Sequence, residues 1–252
     1  MGKFYNPIFV LTDKPNSTEL DEYDVSLVDI TQYKPKFETT AALEAWENAS
    51  ITKVKWFKTQ LFHLIPATVE DKARTSSSPK FMQRTRIDNL LFIDADEIIN
   101  GPLDHFGNSV TQSMLKRSSF KKSPDDVECS AYFFSERFYS SQSVNSGTAL
   151  YFRRDSQTLL SEWSHKILSG KYELDQLALD ATLQQHDHGD LKVCTFPARH
   201  NFFTSDFLTS VWNTLSFGRR RRGATFIHPT SYKDMNQMAI PYDRTAISNH
   251  RH

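Results

Sequence analysis

Residues 89–99, NLLFIDADEII, hold the strongest local signal in the chain. Asn89 to Ile93 is a short apolar stretch without alternation, the pattern of a central strand covered on both faces. It breaks at once into Asp94-Ala95-Asp96-Glu97. In an open α/β sheet the groups that meet a ligand stand beyond the carboxyl ends of the strands, so a buried strand ending in acid predicts an α/β fold with a site at its tip. With one residue between them, Asp94 and Asp96 can both reach a single divalent cation carrying diphosphate oxygens. Carboxylate oxygens are hard donors and suit Mg²⁺ or Mn²⁺. The plainer alternative is a capped turn in which the two carboxylates pair with Lys or Arg.

Outward from this strand, the composition bounds the rest. The 252 residues make one large α/β domain or a domain with an appendage. Hydrophobic residues at 38% and charged residues at 24%, with 8 Gly and 10 Pro, exclude a collagenous or wholly disordered chain. Basic and acidic side chains balance at 30 each, so no global field favours nucleic acid or an anionic membrane surface. The charge is unevenly placed: residues 1–50 carry 4 basic and 9 acidic side chains, residues 191–252 carry 9 and 3. An anionic ligand is drawn to the C-terminal quarter. No run approaches a membrane span, and Met1 to Phe9 lacks the apolar core of a signal peptide. A cytoplasmic protein, or a soluble portion of a membrane-anchored one, is the expectation. The two cysteines, Cys129 and Cys194, are expected to be reduced and buried.

Ile8 to Leu11 and Val25 to Ile30 predict buried strands. Ile51, Val54, Phe57, Leu61 and Ile65 recur at three-to-four spacing and predict one amphipathic helix between Thr40 and Ile65, stopped by Pro66. Val127 to Phe134 and Thr148 to Phe152 predict strands flanking the polar turn SSQSVNSG. The stripe Leu159, Leu160, Trp163, Ile167 predicts a helix capped by Asp155 or Ser156 and stopped by Gly170. A second helix follows, from about Leu174 to Gln185. A single domain over residues 1–252 is expected, with mobile excursions near 67–88, 107–126 and 214–224.

At the D-x-D strand the sequence resembles the GT-A glycosyltransferases, in particular the family-eight, glycogenin-like and bacterial galactosyltransferase-like enzymes and related nucleotide-diphospho-sugar transferases. Three further motifs follow in the family's order. Asn145-Ser146-Gly147 before TALYFRR is similar to its N-x-G segment; Gly permits close backbone approach, and an Asn amide can donate to and accept from sugar hydroxyls. Asp175-Gln176, at the start of a helix, is similar to its D-Q pair. His228 in FIHPTSYK, with Lys233 beyond it, is similar to its C-terminal His and phosphate-binding Lys, although the spacing is one residue shorter and Ser231 replaces the intervening Gly.

The resemblance covers about residues 50–235 and implies a GT-A, Rossmann-like α/β domain with a mixed, mostly parallel central sheet flanked by helices. It also implies a metal site of Asp94, Asp96 and His228 holding Mn²⁺ or Mg²⁺, and Asp175 and Gln176 against the donor sugar. Asn145, Gly147, Lys55, Lys58, Lys233 and Arg219 would bind substrate. Lys55 and Lys58 lie on the polar side of the early helix, where a solvated face is the competing reading. Arg219 opens the run to Arg222, a candidate basic flap over a diphosphate. The implied partners are a nucleotide-sugar donor, a UDP-sugar foremost, and a carbohydrate or glycoconjugate acceptor, with retention at the anomeric carbon. The loop aromatics Phe202, Phe203 and Trp212 are weaker candidates for sugar stacking, and His186 and His188 for a metal. The N-terminal unit is shorter than the family's. Two alternatives stand: a non-catalytic GT-A-like binding protein, and a haloacid-dehalogenase-like phosphatase, whose D-x-D also follows an apolar strand but whose first Asp is a nucleophile.

Overall fold

The computed structural model describes residues 7–16, 18, 21, 23, 25–37, 40–48, 50–70, 84–95, 97–101, 103, 106–107, 110, 129–135, 144–172, 174–186, 191–203, 215 and 219–228. Its strands are β1 (Ile8–Thr12), β2 (Val25–Asp29), β3 (Thr68–Glu70), β4 (Arg84–Arg86), β5 (Asn89–Ile93), β6 (Ile98–Ile99), β7 (Ala131–Ser135), β8 (Val144–Phe152), β9 (Val193–Thr195), β10 (Asn201–Phe203) and β11 (Phe226–His228). The helices are α1 (Thr40–Asn48), α2 (Ser50–Phe57), α3 (Leu61–Leu64), α4 (Gln157–Leu168), α5 (Asp175–Gln185) and α6 (Arg219–Gly223). A 3₁₀ turn, Ala198–His200, leads into β10.

The fold is mixed α/β. In place of one mostly parallel sheet, the described strands fall into four: β1-β2, β3-β4, β10-β11-β6 and β5-β8-β7-β9. β1 and β2 are parallel, as are β10 and β11, whereas β6 joins β11 antiparallel and β3 joins β4 antiparallel. β5 occupies the residues expected of it, but it ends its sheet order and its residues are half-buried or exposed. The buried strands are β7 and β8 instead. An apolar run records only that a segment must be covered; strand order is a property of the whole sheet. β8 is also longer than expected. It takes in Val144, Asn145, Ser146 and Gly147 as buried strand residues, so the NSG segment is not a turn.

The chain divides into two compact units, residues 1–91 with 129–131 and 150–192, and residues 92–128 with 132–149 and 193–252. In the first, the single helix expected between Thr40 and Ile65 is broken into α1, α2 and α3. The reason is visible in the burial: Trp56, Phe57, Lys58 and Thr59 are all buried in succession, which one straight amphipathic helix cannot do, while Val54 of the expected apolar stripe is 62% exposed. Reverse bonds from Thr59 N–H to the Trp56 carbonyl and from Gln60 N–H to the Phe57 carbonyl tighten the chain between α2 and α3.

The Trp56 indole donates to Ser164 Oγ at 2.8 Å, tying α2 to α4. The α4 stripe Leu159, Leu160, Trp163, Ile167 is buried throughout. Gly170, at φ 68°, supplies the left-handed residue that ends the helix. Ser156 holds the N-cap position without capping: its hydroxyl donates to the Ser130 carbonyl and accepts from Phe152 N–H. Arg153 fastens the same unit. Its guanidinium donates to the carbonyls of Ile87, Phe62, Ile65 and Pro66 at 2.8–3.2 Å and lies over the Phe62 ring.

The second unit is built on aromatic packing. Phe106 meets Phe196 at 4.9 Å and Phe226 at 5.0 Å, both edge-on, and Phe134 packs on Phe196 at 4.9 Å. Burying each such ring contributes about 1.5–3 kcal/mol. Asn100 Nδ2 donates to the carbonyls of Arg221 and Ala224 and so closes the end of α6.

Neither cysteine is free, contrary to expectation: Cys129 and Cys194 are disulfide-bonded. Among the described residues no helix is long and apolar enough to cross a membrane. Residues 71–83 and 111–126, within the expected excursions, lie outside the described residues.

Candidate functional site

The end of β5 turns back on itself. The Asp94 carbonyl accepts from Glu97 N–H at 3.0 Å, and Asp94 N–H donates to the Gly147 carbonyl of β8 at 2.8 Å. These backbone bonds set the acid turn against the N-x-G segment. The meeting point is Gly147. A Cβ built there would lie 2.5 Å from Glu97 Oε1, 3.0 Å from Asn145 Oδ1 and 3.3 Å from Asp94 Oδ2. Three side-chain oxygens therefore face the space that glycine leaves open.

Two of the three side chains are held by hydrogen bonds. Asn145 Oδ1 accepts from Gly147 N–H at 2.8 Å, and Thr148 Oγ1 donates to Glu97 Oε2 in a short hydrogen bond. Asn145, Thr148 and Glu97 are all buried, at 4%, 0% and 9% exposure. Two carboxylates and an amide oxygen are the donor chemistry of a hard divalent cation. Among the described residues no group of three or more His, Cys, Asp or Glu side chains gathers as a metal site.

Asp96, the second acid of the D-x-D pair, lies outside the described residues, as does Lys233. The backbone of His228 is described. It ends β11, in register with Phe203, and the β11–β6 ladder pairs Phe226 with Ile99 and Ile227 with Ile98. The side chains of His228, Phe202 and Phe203 lie outside the described residues, as do His188 and Trp212 entirely.

In the other unit, Lys58 and Asp175 form an ion pair at 2.9 Å with side chains 10% and 13% exposed. This excludes the solvated-face reading for Lys58. Asp175 opens α5, where the helix dipole favours a carboxylate, and its carbonyl accepts from the Trp163 indole at 2.8 Å. Gln176 follows it, half-buried, and Lys55 is half-buried on α2. Arg219 is exposed at the start of α6. His186 pairs with the Glu162 carboxylate.

The candidate residues thus fall into separate groups: Asp94, Asn145 and Gly147 in one unit, Lys58 and Asp175 with Gln176 in the other. Glu97 and Thr148 were missed from sequence. The signal for Glu97 was present, a third acid directly after the pair; Thr148 had none, because its role exists only through the β5–β8 pairing.

No protein-family model and no curated protein matches the sequence. Among solved structures the chain is similar to a glycosyltransferase involved in the glycosylation of the major capsid of PBCV-1, at 12% identity and a TM-score of 0.43, over 92% of this chain and 98% of that one. It is also similar to the apo form of mouse xyloside xylosyltransferase 1, at 10% identity and a TM-score of 0.38, over 81% of this chain and 74% of that one.

Proposed function

We propose that the chain is a metal-dependent glycosyltransferase that moves a sugar from a nucleotide-diphosphate sugar, a UDP-sugar foremost, to an acceptor hydroxyl on a carbohydrate or glycoconjugate, with retention at the anomeric carbon. The observation that carries this reading is the meeting of the acid turn with the N-x-G segment at Gly147. Two motifs far apart in sequence supply oxygens to one cradle that a Cβ would fill, and their chemistry fits Mn²⁺ or Mg²⁺.

Asp94, Asp96 and His228 are the residues that would hold the ion. When bound, it supplies charge neutralisation for a departing diphosphate. Asn145, its Oδ1 fixed by Gly147 N–H, serves hydroxyl recognition. Asp175 and Gln176 keep the donor-sugar role that the resemblance implies, and Lys58 orients the Asp175 carboxylate. Lys55, Arg219 and Lys233 are the cations proposed for the phosphates. Disulfide-bonded cysteines persist in oxidising surroundings, which favours the soluble portion of an anchored or exported enzyme over a cytoplasmic one.

The test is a panel of nucleotide sugars incubated with the full chain, with release of free nucleotide as the readout. The expected result is release from one UDP-sugar that stops with chelator and returns with Mn²⁺. Efficient hydrolysis of simple phosphate esters, with a phosphorylated Asp94 detected by mass spectrometry, would overturn the reading in favour of the phosphatase. Saturable sugar binding with no nucleotide release from any donor would make the chain a binding protein.

A further inference from the structure

We infer that Asn201, on β10, contacts the substrate: its side-chain amide hydrogen-bonds, through oxygen and nitrogen together, a part of the nucleotide sugar that offers a donor and an acceptor side by side, either neighbouring ring hydroxyls or the imide edge of the base. This rests on the transferase reading above and adds a residue that none of the motifs singled out. Both polar atoms of the side chain, Oδ1 and Nδ2, are buried, and neither has a hydrogen-bond partner among the described residues. The residue as a whole is 5% exposed.

Other amides of the same unit are used differently. Asn100 Nδ2 donates to the carbonyls of Arg221 and Ala224, and Asn145 Oδ1 accepts from Gly147 N–H. His200, next to Asn201 in sequence, has Nδ1 against Thr225 Oγ1 at 2.9 Å. Asn201 pairs with Phe226 across β10 and β11, so the two side chains leave the same face of the sheet. Phe226 is fully buried against Phe106 and Phe134, rings that carry no oxygen or nitrogen. Unpaired in such a place, an amide costs stability that an apolar side chain of the same branching would not. A neutral donor and acceptor on one planar group is the chemistry that recognises a hydroxyl pair or the edge of a base.

The ladder also sets the reach. Phe226 pairs in turn with Ile99 of β6, which begins directly after Glu97. Asn201 therefore stands two strands, about 10 Å, from the strand that leaves the acid turn. One nucleotide sugar with its diphosphate at that turn spans the distance. β10 is three residues long and ends the order of its sheet among the described strands. Short edge elements of this kind open locally, which is how a substrate meets an amide shut from solvent.

The experiment uses the full chain, with thermal melting recorded without substrate and calorimetric titration in Mn²⁺ with UDP and with UDP-glucose, UDP-galactose and UDP-xylose. Asn201→Leu is expected to melt at or above the parent temperature, because it removes an unpaired buried amide, and to bind substrate about tenfold more weakly. A loss already seen with UDP puts the contact on the nucleoside; a loss confined to a UDP-sugar puts it on the transferred sugar. A lower melting temperature shows that the amide has a partner within the free protein and overturns the inference. So does affinity within about twofold of the parent for every ligand the parent binds, and that result leaves the transferase reading standing. A parent that binds none of the four overturns both. If Asn201→Leu does not fold, Asn201→Ala decides by affinity alone: a fall of about tenfold supports the contact, and an unchanged affinity sinks it.

Discussion

Replacing Gly147 by Ala tests the cradle most directly. The added methyl would sit 2.5 Å from Glu97 Oε1, 3.0 Å from Asn145 Oδ1 and 3.3 Å from Asp94 Oδ2, whereas ordinary contact begins near 3.4 Å. Glu97 must therefore retreat by about 1 Å, and its buried carboxylate is tied to Thr148, so it cannot simply swing into water. Overpacking of this kind costs about 1–3 kcal/mol. Among the described glycines only Gly170 has positive φ, so Ala at 147 adds no left-handed strain and recovers about 0.4–1 kcal/mol from the unfolded chain. The net expectation is a loss of about 1–2 kcal/mol, read as a melting temperature lower by several degrees in chelator. Displacing Glu97 and Asn145 should also weaken Mn²⁺ binding about tenfold. Gly170→Ala is the control: it lies in open space at φ 68°, so it should destabilise by about 1 kcal/mol and leave Mn²⁺ binding untouched. A Gly147→Ala variant that melts with the parent and binds Mn²⁺ as tightly would refute the geometry.

Arg153→Lys should lower stability by about 2–3 kcal/mol, since a single ammonium cannot replace a planar fork that serves four carbonyls; denaturant unfolding with an unchanged midpoint would contradict this. Lys58→Met should cost about 3 kcal/mol by removing the ammonium from a nearly buried carboxylate. Combined with Asp175→Asn it should cost less than the two separate losses added together, and strict additivity in a double-mutant cycle would show the pair to be uncoupled. Asp29 is held below the ordinary carboxylate range by the Thr31 hydroxyl and then by the Thr31 amide, both donating to Oδ1. Because the folded value is the lower one, its stabilisation is present above the unfolded value of about 3.9 and fades as pH falls through the folded value. Thr31→Val should move the Asp29 midpoint up in an NMR titration, and an unmoved midpoint would reject the assignment.

What the sequence determined by itself was local. The strand at Asn89–Ile93 and its acid end, the α4 stripe from Leu159 to Ile167 and its stop at Gly170, and the start of α5 at Asp175 all follow from periodicity, dipole and stop residues within a turn or two of each other. Where the same reading had to decide what a segment is covered by, it went astray. The stretch from Thr40 to Ile65 has helical spacing, yet the burial of Trp56 through Thr59 in a row breaks it. The NSG segment has turn composition, yet a strand takes it into the core because its backbone is paired there. The partners of Glu97 and Lys58 were likewise invisible. Each partner is distant in the chain, and only sheet register and helix packing decide which side chains meet. Spacing along one segment carries no information about which residue of another segment stands opposite, and the candidate site is made almost wholly of such oppositions.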